Sequence, residues 1–293
     1  MAVGKPGALS SRGLAGEPGA QASRGVPADL PTLVAIAAVA CILANVLHEA
    51  VGHGGACLLE GGHPVLLTTV NLDCTLASRF VSAAGTLVNL IAGGAFWMLL
   101  GGAPARAARL RYFLWLGMAV NLMEGTGYFL YSGVSGIGDW ADFITGFPAP
   151  WVWRAGLAIL GGVSYFLVAR LAAHELRPFL AGQTDRSARM RRARRLTFTP
   201  YIAGSALACF AGAFNPGGVY LEIISAAAAS LGGMSGLLWM RSFLRGGPAE
   251  GAAPGAAAGL ARSWGWMAGA AALVGLYVAI LGPGIHFAAG AAR

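Results

Sequence analysis

The 293-residue chain is 56% hydrophobic and only 11% charged, with a mean hydropathy of +0.64. Soluble domains carry about 25% charged residues, so this composition excludes a soluble enzyme and specifies an integral membrane protein. Its net charge of +8 then concerns orientation in the bilayer and contact with membrane lipids, and no nucleic-acid partner is expected. Lys5 is the one lysine, and Arg, Ala and Gly are abundant, a usage that fits a GC-rich bacterial genome and hence the bacterial inner membrane.

Residues 1–29 are rich in Gly, Ala, Pro and Ser, with scattered Arg and no apolar run. They read as a disordered N-terminal tail, not a signal peptide. A transmembrane domain over 30–290 follows. Apolar runs long enough to span occur at about 31–55, 80–100, 111–131, 151–173, 198–214, 219–243 and 264–287. The expected fold class is an all-α polytopic membrane protein with about 6–7 transmembrane helices. The fifth and sixth runs are divided only by Asn215-Pro-Gly-Gly218 and form either two helices or a broken pair.

The first run ends in Asn45-Val-Leu-His-Glu-Ala-Val-Gly-His53. Ionisable residues at that depth are costly and mark a functional site. His-Glu followed shortly by His is the zinc-peptidase arrangement, in which two imidazoles hold the metal and the Glu serves its bound water as general base. The usual spacing, H-E-x-x-H, sets the histidines about 40° apart around the helix axis, whereas His48 and His53, at i and i+5, lie about 140° apart. A one-residue π-bulge returns both rings to one side, and Gly52, Gly54 and Gly55 make that distortion cheap. The alternative is that the two histidines are polar residues packing helices together.

The segment from Gly61 to Arg79 includes Pro64-Val-Leu-Leu-Thr-Thr-Val-Asn-Leu72, β-branched and too short to span. It predicts a short strand or hairpin lying on the site. Cys57 and Cys74 flank it and either form a disulfide or leave Cys57, four residues after His53, facing the metal. Cys41 and Cys209 fall within apolar runs and read as small core residues.

The second span opens Ser82-Ala-Ala-Gly-Thr-Leu-Val-Asn89, where small residues allow close helix approach and Asn89 hydrogen-bonds across. The third carries Asn121 and Glu124, then Gly-Thr-Gly-Tyr128. The Gly-rich stretch from Tyr131 to Asp142 holds two acids, Asp139 and Asp142, and no Lys or Arg. Its glycines suit a loop dipping to an embedded site. Of the later spans only one has an internal acid, Glu222, while His174-Glu175 has no second histidine nearby.

With a cytoplasmic N-terminus and seven spans, all 20 basic residues except Arg79, Arg154 and Arg293 fall on the cytoplasmic side. The hairpin segment is then extracytoplasmic. Asn45, His48, Glu49, His53, Asn89, Asn121, Glu124 and Asp139 all map to the middle or outer half of the bilayer, where buried polar groups must find one another.

Three elements in this order resemble the site-2 protease-like family of intramembrane zinc metallopeptidases. They are His48-Glu-Ala-Val-Gly-His53, Ala84-Gly-Thr-Leu-Val-Asn89, and Gly138-Asp139-Trp140 preceded by Asn121. The resemblance covers about residues 40–145, and the H-E-x-x-G-H spacing is also similar to that of the dipeptidyl peptidase III family. Thr86 stands where the family usually has Pro, and Trp140 where Gly follows the Asp. The resemblance implies that His48, His53 and Asp139 bind Zn2+, that Glu49 is the catalytic base, and that Asn89 positions substrate.

A catalytic zinc takes three protein ligands and water, and two acids compete to join the histidines. Depth in the membrane favours Glu124; chain order and the mobile glycines favour Asp139. The expectation is Asp139 as ligand, with Glu124, Asn89, Asn121 and Asn45 around the site. The expected function is zinc-dependent hydrolysis of a transmembrane or membrane-proximal peptide. The rival is a non-catalytic pseudoprotease or a metal- or substrate-binding membrane protein.

Overall fold

The computed structural model describes residues 1–2, 28–183, 185–244 and 260–287, without the side chains of residues 219 and 221–224. Most of the tail expected over 1–29 lies outside the described residues, as does the side chain of Glu222.

Helix α1 (Leu30–Val46) starts on Asp29, whose side chain accepts hydrogen bonds from the backbone N–H and hydroxyl of Thr32 at 3.1 and 2.8 Å. That satisfies a helix-start donor that would otherwise be orphaned. The helix continues without a break through a π-helical stretch (Leu47–Gly54) into α2 (Gly55–Leu59), giving one 30-residue rod. A hairpin follows, β1 (Pro64–Leu67) and β2 (Leu72–Cys74). Next come α3 (Arg79–Gly102), α4 (Ala108–Ser135) and the short α5 (Asp139–Phe143). Then α6 (Pro150–Leu176) extends as a 3-10 turn to Leu180, and α7 (Arg186–Gly212) carries the arginine run in its first turns.

The run expected over 219–243 is a chain of pieces. Helix α8 (Gly218–Leu221), a π-helical stretch (Glu222–Gly232), a 3-10 turn (Gly233–Ser235), α9 (Gly236–Trp239) and a 3-10 turn (Met240–Leu244) follow one another. A physical reason is visible at Gly233 and Gly236, where the Tyr165 hydroxyl donates to the first's carbonyl at 2.5 Å and accepts from the second's N–H at 2.7 Å. Finally α10 (Trp264–Leu276) becomes π-helical to Leu281 and leads into β3 (Ile285–His286).

Among the described residues, four helices are long and apolar enough to cross a membrane: Leu30–Leu59, Arg79–Gly102, Pro150–Leu180 and Trp264–Leu281. Helix α4 is long but more polar. Its side chains Tyr112, Trp115, Met118 and Met123 are fully buried, and it packs along α6 and α3 and against α1. Its polar groups find partners inside the protein: the Tyr112 hydroxyl donates to the Leu196 carbonyl at 2.7 Å, and Trp115 Nε1 to that of Ala172 at 2.9 Å.

At one end of this bundle β1 pairs antiparallel with both β2 and β3, in the order β2-β1-β3. The expected hairpin is there, completed by a strand from the far end of the chain. The turn between its strands is pinned from four elements. Thr69 N–H donates to the Leu281 carbonyl at 3.0 Å, Asn45 to the Thr69 carbonyl at 2.9 Å, Asn215 to the Thr68 hydroxyl at 2.8 Å, and Ser225 to the Val70 carbonyl at 2.9 Å. Cys57 and Cys74 form a disulfide joining α2 to β2, so Cys57 is not a metal ligand.

Candidate metal centre

The π-helical stretch resolves the i, i+5 spacing. Its end is marked by an N–H of Gly55 bonded to the carbonyl of Ala50, five residues back. Each extra residue per turn reduces the angular drift between positions five apart. His48 and His53 therefore face each other, with Nε2 atoms 3.2 Å apart and rings edge-on at 79°.

Close packing of α3 holds the pair from one side. A Cβ on Gly85 would lie 2.5 Å from His53 Nε2 and 2.7 Å from His48 Nε2, and one on Gly52 would lie 2.5 Å from the Gly85 Cα. The small-residue pattern at Ala84-Gly85 is thus a seat for the two imidazoles. One turn on, the Asn89 amide reaches His48 Nδ1 at 3.3 Å and Glu124 Oε2 at 3.4 Å. The Tyr128 ring stacks on His48 with centroids 4.7 Å apart.

Asp139 arrives from the other side. Helix α4 ends at Gly136 (φ 73°) and the chain turns again at Gly138 (φ 89°), backbone conformations that a Cβ disfavours. Arg154 donates to the carbonyls of Gly133 and Val134 at 3.1 and 2.6 Å, closing the helix end. These turns bring α5 back over the site. Trp140 Nε1 donates to the Thr86 hydroxyl at 3.0 Å, so the two residues that depart from the site-2 protease pattern are bonded to each other. Arg79 Nε donates to the Phe143 carbonyl at 3.1 Å and fixes the other end of α5. Asp139 Oδ2 then lies 3.2 Å from His48 Nε2 and 3.5 Å from His53 Nε2.

These three atoms fit a metal ion. His53 Nδ1 lies 2.7 Å from the Val81 carbonyl, which can only accept, so Nδ1 carries the proton and Nε2 presents a lone pair. Asp139 Oδ2 is buried and receives no hydrogen bond of ordinary geometry. Asn89 Oδ1 is likewise buried without a partner among the described residues; exchanging the ends of that amide gives it the His48 Nδ1–H and frees His48 Nε2, with the Glu124 carboxyl then donating to the same oxygen. Tetrahedral zinc with bonds of about 2.0–2.1 Å spaces its ligand atoms about 3.3 Å apart. The observed spacings of 3.2, 3.2 and 3.5 Å are those of one such face, so the trio could hold a metal ion.

Glu49 is buried beside the trio and borders two cavities. One, of about 50 Å3, also touches Asn45, Glu124 and Tyr277. The other, of about 430 Å3, is a vestibule over His53 and Asp139, reached past Asn71, Tyr131 and Asp142. Among the described residues, no Lys or Arg lines it. Burial and then the nearby Asp139 carboxylate push the Asp142 carboxyl above its ordinary range.

Not every expected residue is at the centre. Asn45 lines the small cavity, but its amide is spent on the Thr69 carbonyl and the Tyr277 hydroxyl, at 2.9 and 2.8 Å. Asn121 turns back to the Gly117 carbonyl of its own helix at 2.7 Å. Glu124 lies behind Asn89. What the sequence did not reveal is the role of Gly85 as the histidine seat, the part of the Val81 carbonyl and the bond between Thr86 and Trp140. Gly85 had a signal in the Ala-Gly pattern, and Thr86 and Trp140 stood out singly but not as a pair; Val81 had none.

No known family, curated protein or solved structure matches the chain.

Proposed function

We propose that this protein is a zinc-dependent, membrane-embedded hydrolase of the site-2 protease-like kind, cleaving an amide bond of a peptide in or near the bilayer. The observation that carries this reading is the convergence of His48 Nε2, His53 Nε2 and Asp139 Oδ2 to mutual distances of 3.2–3.5 Å, with Glu49 beside them at the cavity wall. The order of motifs along the chain supports the same family. In the proposed topology six or seven helices span the inner membrane of a bacterium, the N-terminus is cytoplasmic, and α4 and α7 cross as shielded, more polar spans. The disulfide between Cys57 and Cys74 suits an extracytoplasmic hairpin.

His48, His53 and Asp139 would hold the ion, with Val81 and Asn89 fixing the two imidazoles. Zinc bound there supplies Lewis acidity and lowers the pKa of a water toward neutrality. Glu49 accepts the proton from the attacking water and returns it to the leaving nitrogen. The turn at Thr68–Asn71 and α5 cover the centre and restrict water. Asn89 and Glu124 orient His48.

The test is Glu49→Gln in purified protein, assayed with membrane peptides by mass spectrometry. Metal should be retained and turnover should fall roughly 10²–10⁴-fold, the worth of a positioned base. Full turnover by this variant would remove the hydrolase reading and leave a metal-binding membrane protein.

A further inference from the structure

A third cavity, of about 520 Å3, lies between α4, α6 and the 225–235 segment. It meets the vestibule over the metal centre at a shared edge of Tyr128, Tyr131 and Ser225. Tyr128 is the residue stacked on His48. Along α4 the cavity runs from Glu124 to Ser135, about 16 Å at 1.5 Å per residue. Its walls include Leu130, Val134 and Ala228, with glycines thinning both sides.

The size and chemistry of this sleeve select its occupant. A transmembrane helix about 30 Å long and 10 Å across does not enter 520 Å3. An unwound peptide would bring unpaired N–H and C=O groups that must be satisfied away from water. Two polar side chains, Glu124 and Tyr128, stand at the inner end beside the metal centre, Glu124 against Asn89 at 3.4 Å and Tyr128 stacked on His48; the polar side chains along the rest of the sleeve are already taken. Tyr165 bonds to Gly233 and Gly236 at 2.5 and 2.7 Å, Ser135 to the Tyr131 carbonyl at 2.7 Å, and Ser225 to the Val70 carbonyl at 2.9 Å. Tyr131 is engaged as well. A single alkyl chain asks for no hydrogen bond and fits.

We infer that the substrate is a fatty-acyl amide: one alkyl chain in the sleeve, a polar amine-derived head such as a short peptide in the vestibule, and the joining amide at the edge beside Tyr128. This rests on the hydrolase reading above and names its substrate class. Water's oxygen bonds to the acyl carbon and the C–N bond breaks. The nitrogen leaves as an amine with the proton carried by Glu49, and the acyl group leaves as a fatty acid. No oxidant or further reactant is consumed.

The test is photo-crosslinking on the full chain in lipid nanodiscs, with an N-palmitoyl peptide bearing a diazirine near the chain end. Cross-links should map to the 124–135 face of α4 and to 225–235. Ala228→Trp, which places an indole in the sleeve, should cut them about tenfold, the effect of about 1.4 kcal/mol of overpacking. Cross-links spread over lipid-facing positions such as Ile91, Met98 and Ile159, or undiminished in Ala228→Trp, would overturn the inference. Zinc content and cleavage of an unacylated transmembrane peptide are measured on the same sample. Sleeve labelling without zinc would sink the hydrolase reading and leave an acyl-chain site. Zinc and peptide cleavage without sleeve labelling would sink the substrate assignment alone.

Discussion

Asp139 and Glu124 are the two acids able to complete a set with His48 and His53, and their surroundings separate them. Asp139 Oδ2 faces both imidazole nitrogens at 3.2 and 3.5 Å, whereas Glu124 Oε2 sits behind the Asn89 amide at 3.4 Å. Asp139→Ala should therefore abolish tight zinc binding. Asn89→Ala should weaken it roughly 10–100-fold, as losing a hydrogen-bond partner of a ligand does, and Glu124→Gln, one step further back, should weaken it less. Competition titration against a zinc chelator reads both effects. If Glu124→Gln loses zinc while Asp139→Ala keeps it, the centre is a two-His, one-Glu site, and α5 does not supply a ligand.

At the scale of elements, the crossing of the π-helical stretch with α3 decides whether the imidazoles can meet. Methyl groups at Gly52 or Gly85 would come within 2.5 Å of backbone or imidazole atoms. Gly52→Ala and Gly85→Ala should each cost about 1–3 kcal/mol by overpacking, lowering Tm and releasing zinc. Gly94, on the same helix α3, faces open space, so Gly94→Ala should leave Tm unchanged or raise it through about 0.5–1 kcal/mol of helix propensity. Equal Tm values for all three would mean the helices do not cross there. The need for a π-bulge was legible from the i, i+5 spacing, and the glycines after Tyr131 signalled a chain that returns on itself. The hairpin was legible from a short β-branched stretch. Its third strand was not, because Ile285–His286 is two residues long and its partner lies at the other end of the chain. The fracture of 219–243 was equally hidden. Its Ala- and Gly-rich sequence reads as one apolar run, and the Tyr165 contacts at Gly233 and Gly236 are tertiary. The Thr86–Trp140 bond likewise needs the fold to bring two distant departures together.

For the molecule as a whole, the proposed orientation, with the centre opening away from the cytoplasm, rests on the basic residues. Arg186 to Arg195 crowd the start of α7, while the vestibule mouth at Asp142 has no basic lining among the described residues. Reporter fusions after Arg195 and after Asp142 should report cytoplasm and outside, respectively; a cytoplasmic signal from the second would reverse the proposed orientation. The central claim is that one buried trio holds one metal ion, and metal analysis of detergent-purified protein tests it most directly. Wild type should carry about one zinc per chain after dialysis, with His53→Ala and Asp139→Ala, purified as folded protein, carrying none. Wild type without zinc after reconstitution with the ion, or variants that keep it in full, would contradict the account.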